Sequence, residues 1–203
     1  MHMAMVPHVM ALPPGLSRFA WSTLMREPWR NGKGWTRAVA HHGEGDGLAW
    51  RVSLAEITQA SPFSSFAGLE RISVLAGGGP LAFQAPDEHW ALWQAGDQVS
   101  YPGELPMHCS RPAQPARIWN VMTARGRATA EVTVHREGPL PWPLDGHVLL
   151  WVIDGECELT GPSLPMGLTL HADEGLSGGR AMQGLQGQLR GANARCLLTH
   201  LRA

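Results

Sequence analysis

The sequence is poor in charge. Only 16% of its 203 residues are Asp, Glu, Lys or Arg, and the formal net charge is -1. The cations are all arginine except Lys33, and they are scattered rather than gathered into a basic face. That distribution argues against nucleic acid as a partner. Cysteine is also scarce. Cys109, Cys157 and Cys196 are odd in number, widely spaced and without a CxxC pair. A disulfide framework or zinc site is therefore not expected, and a reducing cytoplasm is. No run of about 18 apolar residues occurs, so no membrane span is expected. The first basic residue is Arg18, and Pro7, Pro13 and Pro14 interrupt the start, a pattern unlike a secretory signal. Long helical periodicity is missing too.

What is present is a chain of short apolar stretches, 44% hydrophobic overall, punctuated by 24 Gly and 16 Pro. Short strands with frequent turns follow from that pattern. Strands are expected over 17–25, 35–41, 50–57 and 69–75. On 50–57, Trp50, Val52 and Leu54 share one face, and Arg51, Ser53 and Ala55 share the other. A repeat is visible. Residues 73–83 read as strand, glycine turn, strand, and residues 151–159 read as the same device. A small acidic glycine turn follows each, at 95–97 and 172–175. This is the rhythm of a duplicated cupin barrel. It predicts an all-β bicupin of two packed RmlC-like β-barrel lobes with little helix. Residues 1–16 are expected to form a flexible leader, 17–127 the N-terminal lobe and 128–203 the C-terminal lobe.

Several words in the front half carry a family resemblance. Residues 28–37, Pro-Trp-Arg-Asn-Gly-Lys-Gly-Trp-Thr-Arg, resemble the PWKNGGG-x-TRE signature of the HutD/Ves family. Residues 50–55 resemble its WR-x-S-x-A strand, and 62–71 resemble its PFS-x-FPG-[IL]-[DE]-R segment. Gly96-Asp97 and the stretch Asn120-Val121-Met122 followed by Arg125-Gly126 resemble two later words. The resemblance implies a cupin-like fold and the binding of a small polar metabolite, such as a formylated glutamate of histidine breakdown. It carries no established catalytic activity. Two departures stand out: Ala38 replaces the family's usual Glu, and Ile118 replaces a common acidic residue. Each removes a charge that could have met the ligand.

Candidate ligand contacts fall into four groups. Arg51 and Arg71 each precede, by two positions, a serine on the same strand face (Ser53 and Ser73), and an arginine fork suits a carboxylate. The alternative is that they pair with Glu56 or Glu70, or lie on the outer surface. Trp29, Asn31 and Thr36 offer an apolar wall and polar groups at a tight turn, or are plain turn and core residues. Phe63, Ser64 and Phe66 lie on a loop that closes over a ligand or plugs the barrel. Asn120 and Met122 share a strand face, and a buried Asn120 needs a partner in a ligand or in nearby backbone.

No metal or other cofactor and no catalytic residue is assigned. The ten histidines contain no His-x-His pair, although His89 and His108 could meet near Glu88 or Glu104. The expected partner is a small-molecule carboxylate, with no nucleic acid or membrane, and a homodimer is compatible. The rival function is a cupin isomerase or hydrolase with Glu56 as base.

Overall fold

Glycine and proline cut the chain into 17 strands among the residues described in this computed structural model, which are 12–29, 32, 34–143 and 145–203. In chain order they are β1 (Leu16–Ala20), β2 (Arg26–Pro28), β3 (Trp35–His42), β4 (Trp50–Ile57), β5 (Ser61–Pro62), β6 (Leu69–Gly78), β7 (Leu81–Gln84), β8 (His89–Leu92) and β9 (Gln98–Pro102). Then follow β10 (His108–Cys109), β11 (Ala116–Ala124), β12 (Thr129–Arg136), β13 (Gly138–Leu140), β14 (His147–Gly161), β15 (Leu164–His171), β16 (Glu174–Gly178) and β17 (Gln186–Arg202). Helix is limited to two single 3₁₀ turns, Gly45–Gly47 and Arg180–Met182. The all-β expectation therefore holds.

The front half makes two sheets. Six strands run β2-β3-β4-β11-β6-β9, and four shorter ones run β5-β10-β7-β8. The back half makes one sheet, β1-β16-β14-β17-β12, with β13 and β15 attached to β17 and β14. Alternation on the six-stranded sheet distributes the cores. On β4, Ala55 and Ile57 enter the front core with Leu75, Phe83 and Ile118. Trp50, Val52 and Leu54 enter a second core with Leu149, Trp151 and Leu197 of the back half. A third core, with Leu150, Leu159, Leu170 and Leu189, fills the back half itself. The middle core is ordered by rings: Phe19 stacks on Trp151 at 5.8 Å and on Trp119 at 6.2 Å. The Trp119 indole N–H donates across the halves to Thr199 Oγ1 at 3.0 Å.

Two expectations need correction. The first strand is Leu16–Ala20 rather than 17–25, and it pairs with β16 of the back half. It stops because the Thr23 hydroxyl accepts from the Ala20 N–H at 3.2 Å and donates to the Ala20 carbonyl at 3.1 Å, closing a turn. The stretch 151–159 is not strand, turn, strand. It lies within one continuous strand, β14, and Gly155 (φ 82°) occupies an irregularity in its register with β17. A glycine at positive φ serves a bulge as well as a turn, and sequence spacing cannot separate the two. The leader expected over 1–16 lies mostly outside the described residues.

Two outcomes follow. At Gly78 (φ 86°) an added Cβ would stand 2.0 Å from the Pro115 carbonyl oxygen. Gly78→Ala is expected to cost about 2–4 kcal/mol, lowering the melting temperature by roughly 4–15 °C. His147 packs on Trp50 at 4.9 Å and bonds Ser177 Oγ at 2.8 Å through Nε2. Burial, and then His42, hold its pKa below the usual 6.5. The folded state therefore resists a proton that the unfolded chain accepts. Stability is complete above about pH 6.5 and is lost as pH falls below it. Thermal unfolding at pH 7.5 and 5.5 should show a smaller acid loss in His147→Gln than in the wild type.

Candidate functional site

The polar positions of the front half converge through strand register. β11 lies between β4 and β6, and pairing places Asn120 opposite Ser53 on one side and Ser73 on the other. One row along, Met122 lies between Arg51 and Arg71, and Arg71 is opposite Tyr101 of β9. These side chains share the sheet face that looks into the front half, where Arg51, Ser53, Arg71, Asn120 and Met122 bound a cavity of about 230 Å³. Trp29, Thr36, Arg51, Ser53, Phe63, Ser64, Phe66, Arg71, Asn120 and Met122 all line it. Asn31 lies outside the described residues. The volume is below the ~300 Å³ at which drug-sized sites begin, and suits a small metabolite.

Arg71 is the centre of the arrangement. It is only 5% exposed, and burial pulls its pKa below the ordinary arginine value. The guanidinium nevertheless stays charged in proteins. Its Nε and Nη2 donate to Asn120 Oδ1 at 3.2 and 3.0 Å, and the Ser73 hydroxyl donates to the same oxygen at 2.8 Å. Arginine is donor-only, so the oxygen of Asn120 must face it, leaving the amide NH₂ as a donor. The guanidinium lies 4.6 Å from the Phe63 ring centroid and 5.7 Å from that of Tyr101. Among the described residues, no carboxylate pairs with Arg71. Tyr101, whose hydroxyl bonds Ser73 Oγ at 3.0 Å, has its pKa raised, mainly by burial, so it stays neutral.

Arg51 differs. It is 29% exposed and pairs with Glu27 of β2 at 3.2 Å. Neither arginine takes the partner that sequence proximity offered. Glu56 pairs with Arg26 at 2.8 Å, and Glu70 pairs with Arg125. Glu56 is on the opposite face of β4 and does not line the cavity, which removes the base imagined for an enzyme.

Local structure fixes the walls. The Gly34 carbonyl accepts from the Trp29 N–H at 2.9 Å. The Trp29 ring then covers Gly34 so closely that a Cβ there would approach it to 2.8 Å. Phe63 and Phe66 are held by backbone bonds of 2.8 Å to the carbonyls of Met107 and Gly103. Phe63 also stacks on Phe83 at 5.2 Å. Thr36 donates its hydroxyl to the Leu54 carbonyl at 3.2 Å. Ile118 is fully buried in the apolar core on the same strand face, and Ala38 lines an outer groove beside the cavity rather than the cavity itself.

Sequence reasoning missed two participants. Tyr101 carries the only tyrosine hydroxyl of the chain and lies on a strand of strict alternation. Glu27 directly precedes the Pro-Trp turn, and its meeting with Arg51 depends on β2 folding back along β3. A different signal misleads. Gly175-Leu176-Ser177-Gly178-Gly179 has the spacing of a nucleophile elbow, and His147 lies beside Ser177. Ser177, however, is inside strand β16, is 6% exposed and does not line the front cavity. The motif requires a strand-to-helix turn, which this segment does not make.

The HutD family model matches residues 21–196. The chain belongs to the HutD family. An uncharacterized 21.2 kDa protein of the hutC 3' region of Pseudomonas putida is 31% identical over 109 residues, 53% of this chain and 57% of that one. Protein Ves of Citrobacter koseri is 29% identical over 108 residues, 52% of this chain and 56% of that one. The matched segment thus spans little more than half the length of these relatives. The crystal structure of a conserved protein of unknown function from Pseudomonas aeruginosa superposes with a TM-score of 0.79 at 27% identity, covering 93% of this chain and 99% of that one. A cupin 2 conserved barrel domain protein from Leptotrichia buccalis gives 0.60 at 9% identity over 92% and 96%. That likeness shows the fold alone, which is cupin-like.

Cupin enzymes commonly hold a metal, which requires several donor side chains to converge. Among the described residues no three of His, Cys, Asp and Glu gather as ligands. His89 and His108 both lie opposite Gln84 on flanking strands, but Glu104 is engaged by Arg125. The cavity offers arginine where a metal needs lone pairs, so its lining does not fit one. A buried cation without a counter-charge costs stability. Arg71→Met is therefore expected to melt at or above the wild-type temperature in thermal unfolding, whereas Asn120→Leu, which strands the guanidinium, should lose about 2–4 kcal/mol.

Proposed function

We propose that this HutD-family protein is a cytoplasmic binding protein that holds a small carboxylate in the front cavity without transforming it. The observation that carries the reading is Arg71, a buried guanidinium that opens on a cavity and has no carboxylate partner among the described residues. One carboxylate of the ligand pairs with Arg71. The Asn120 amide NH₂ and the hydroxyls of Ser53 and Ser64 meet its polar atoms, and Trp29 and Phe63 cover its carbons. The cysteines suit a reducing compartment, since all three are free and buried. The relative from the hutC region of Pseudomonas putida supports a regulatory link to histidine utilisation.

Thermal shift against the carboxylate intermediates of histidine breakdown tests the proposal. A ligand at one hundred times its dissociation constant adds about 2.7 kcal/mol, or roughly 5–10 °C for a chain of this size. Arg71→Met should abolish the shift. Equal shifts in the wild type and this variant, or none with any ligand, would overturn the assignment.

A further inference from the structure

We propose that Glu27 is a charge filter at the mouth of this cavity, admitting ligands with one carboxylate and a neutral polar far end over dicarboxylates. The inference rests on the carboxylate-binding reading above and adds the charge class of the ligand. Among the described lining residues the charged groups are Arg51, Arg71 and Glu27. The lining therefore carries a single net positive charge, which one carboxylate neutralises. Arg71 supplies it from the floor, whereas the charge of Arg51 is already met by Glu27 at 3.2 Å. β4 and β6 are separated by β11, so the two arginine backbones stand about 9–10 Å apart. The far end of a ligand gripped by Arg71 therefore reaches the Arg51–Glu27 pair.

The position of Glu27 is built rather than incidental. β2 is only three residues long and pairs with β3, placing Glu27 opposite Thr36. On the other face of β2, Arg26 is held by Glu56 at 2.8 Å and lies 5.1 Å from the Trp35 ring centroid. With Arg26 fixed outward, alternation turns Glu27 inward. The pair itself contributes little to stability, because Glu27 is 52% exposed and such pairs are weak. Its effect falls on the guest. A second carboxylate must displace Glu27 from Arg51 or lie beside it as a like charge. An amide instead donates to Glu27 and accepts from Arg51. Rejection by a placed like charge is a general route to specificity.

The test compares glutarate with its monoamide, two guests of equal length, by calorimetry on the wild type, Glu27→Gln, Arg51→Gln and Arg71→Met. The wild type should bind the monoamide more tightly. Glu27→Gln should move the affinity ratio toward glutarate by about fivefold to tenfold, and Arg51→Gln should move it the other way. Preference of the wild type for glutarate, or a ratio unchanged in Glu27→Gln, would overturn the filter. If the ratio is unchanged while Arg71→Met still abolishes binding of both guests, the carboxylate site stands and only the role of Glu27 falls. Binding of neither guest by the wild type would overturn both.

Discussion

A guanidinium held out of water by a neutral amide oxygen is the constraint around which the front half is organised. Arg71 donates twice to Asn120 Oδ1, and the amide cannot neutralise its charge. The cost of that burial is reduced by the polar row Ser53–Asn120–Ser73 and by the rings of Phe63 and Tyr101. Asn120 and the two rings hold the guanidinium in one orientation. What remains uncompensated is the charge itself. A fold optimised only for stability would fill this position with an apolar side chain, as it does in the back half, where Leu150, Leu159, Leu170 and Leu189 close the interior.

That contrast divides the work between the halves. The front keeps a hollow lined by hydroxyls, an amide and arginines, and the back is packed with leucine. The back half nevertheless shapes the site. It covers the reverse of β4, β6 and β11 with Leu149, Trp151 and Leu197, so water has no access behind the strands that carry the polar row. Trp119 reaches across to Thr199, and Arg117 to Asp173, tying the two halves from the same central strand.

How much of this was legible in the sequence depends on distance along the chain. Arg51 with Ser53, and Arg71 with Ser73, follow from the period of two, a local property. Asn120 was visible as a polar residue on an apolar strand. The ion pairs were not legible. Glu56 and Glu70 are near Arg51 and Arg71 in sequence, yet they go to Arg26 and Arg125 because register brings together residues 30 and 55 positions apart. Tyr101 and Glu27 were missed for the same reason. Gly155 was misread because a bulge and a turn ask the same backbone freedom of glycine. β1 was placed in the front half by its position, while Leu16 packs in the back core and Phe19 in the core between the halves.

β11 has no residue facing solvent: eight of its nine positions are buried and the ninth, Arg117, is half-buried and ion-paired. Its odd and even positions answer to different masters, the front cavity and core on one side and the neighbouring half on the other. Drift in this strand is therefore judged twice. The three-residue strand β2 at the rim is under a different constraint, since each of its positions is exposed. A substitution at the doorway therefore disturbs one packing surface, where a substitution in β11 disturbs two.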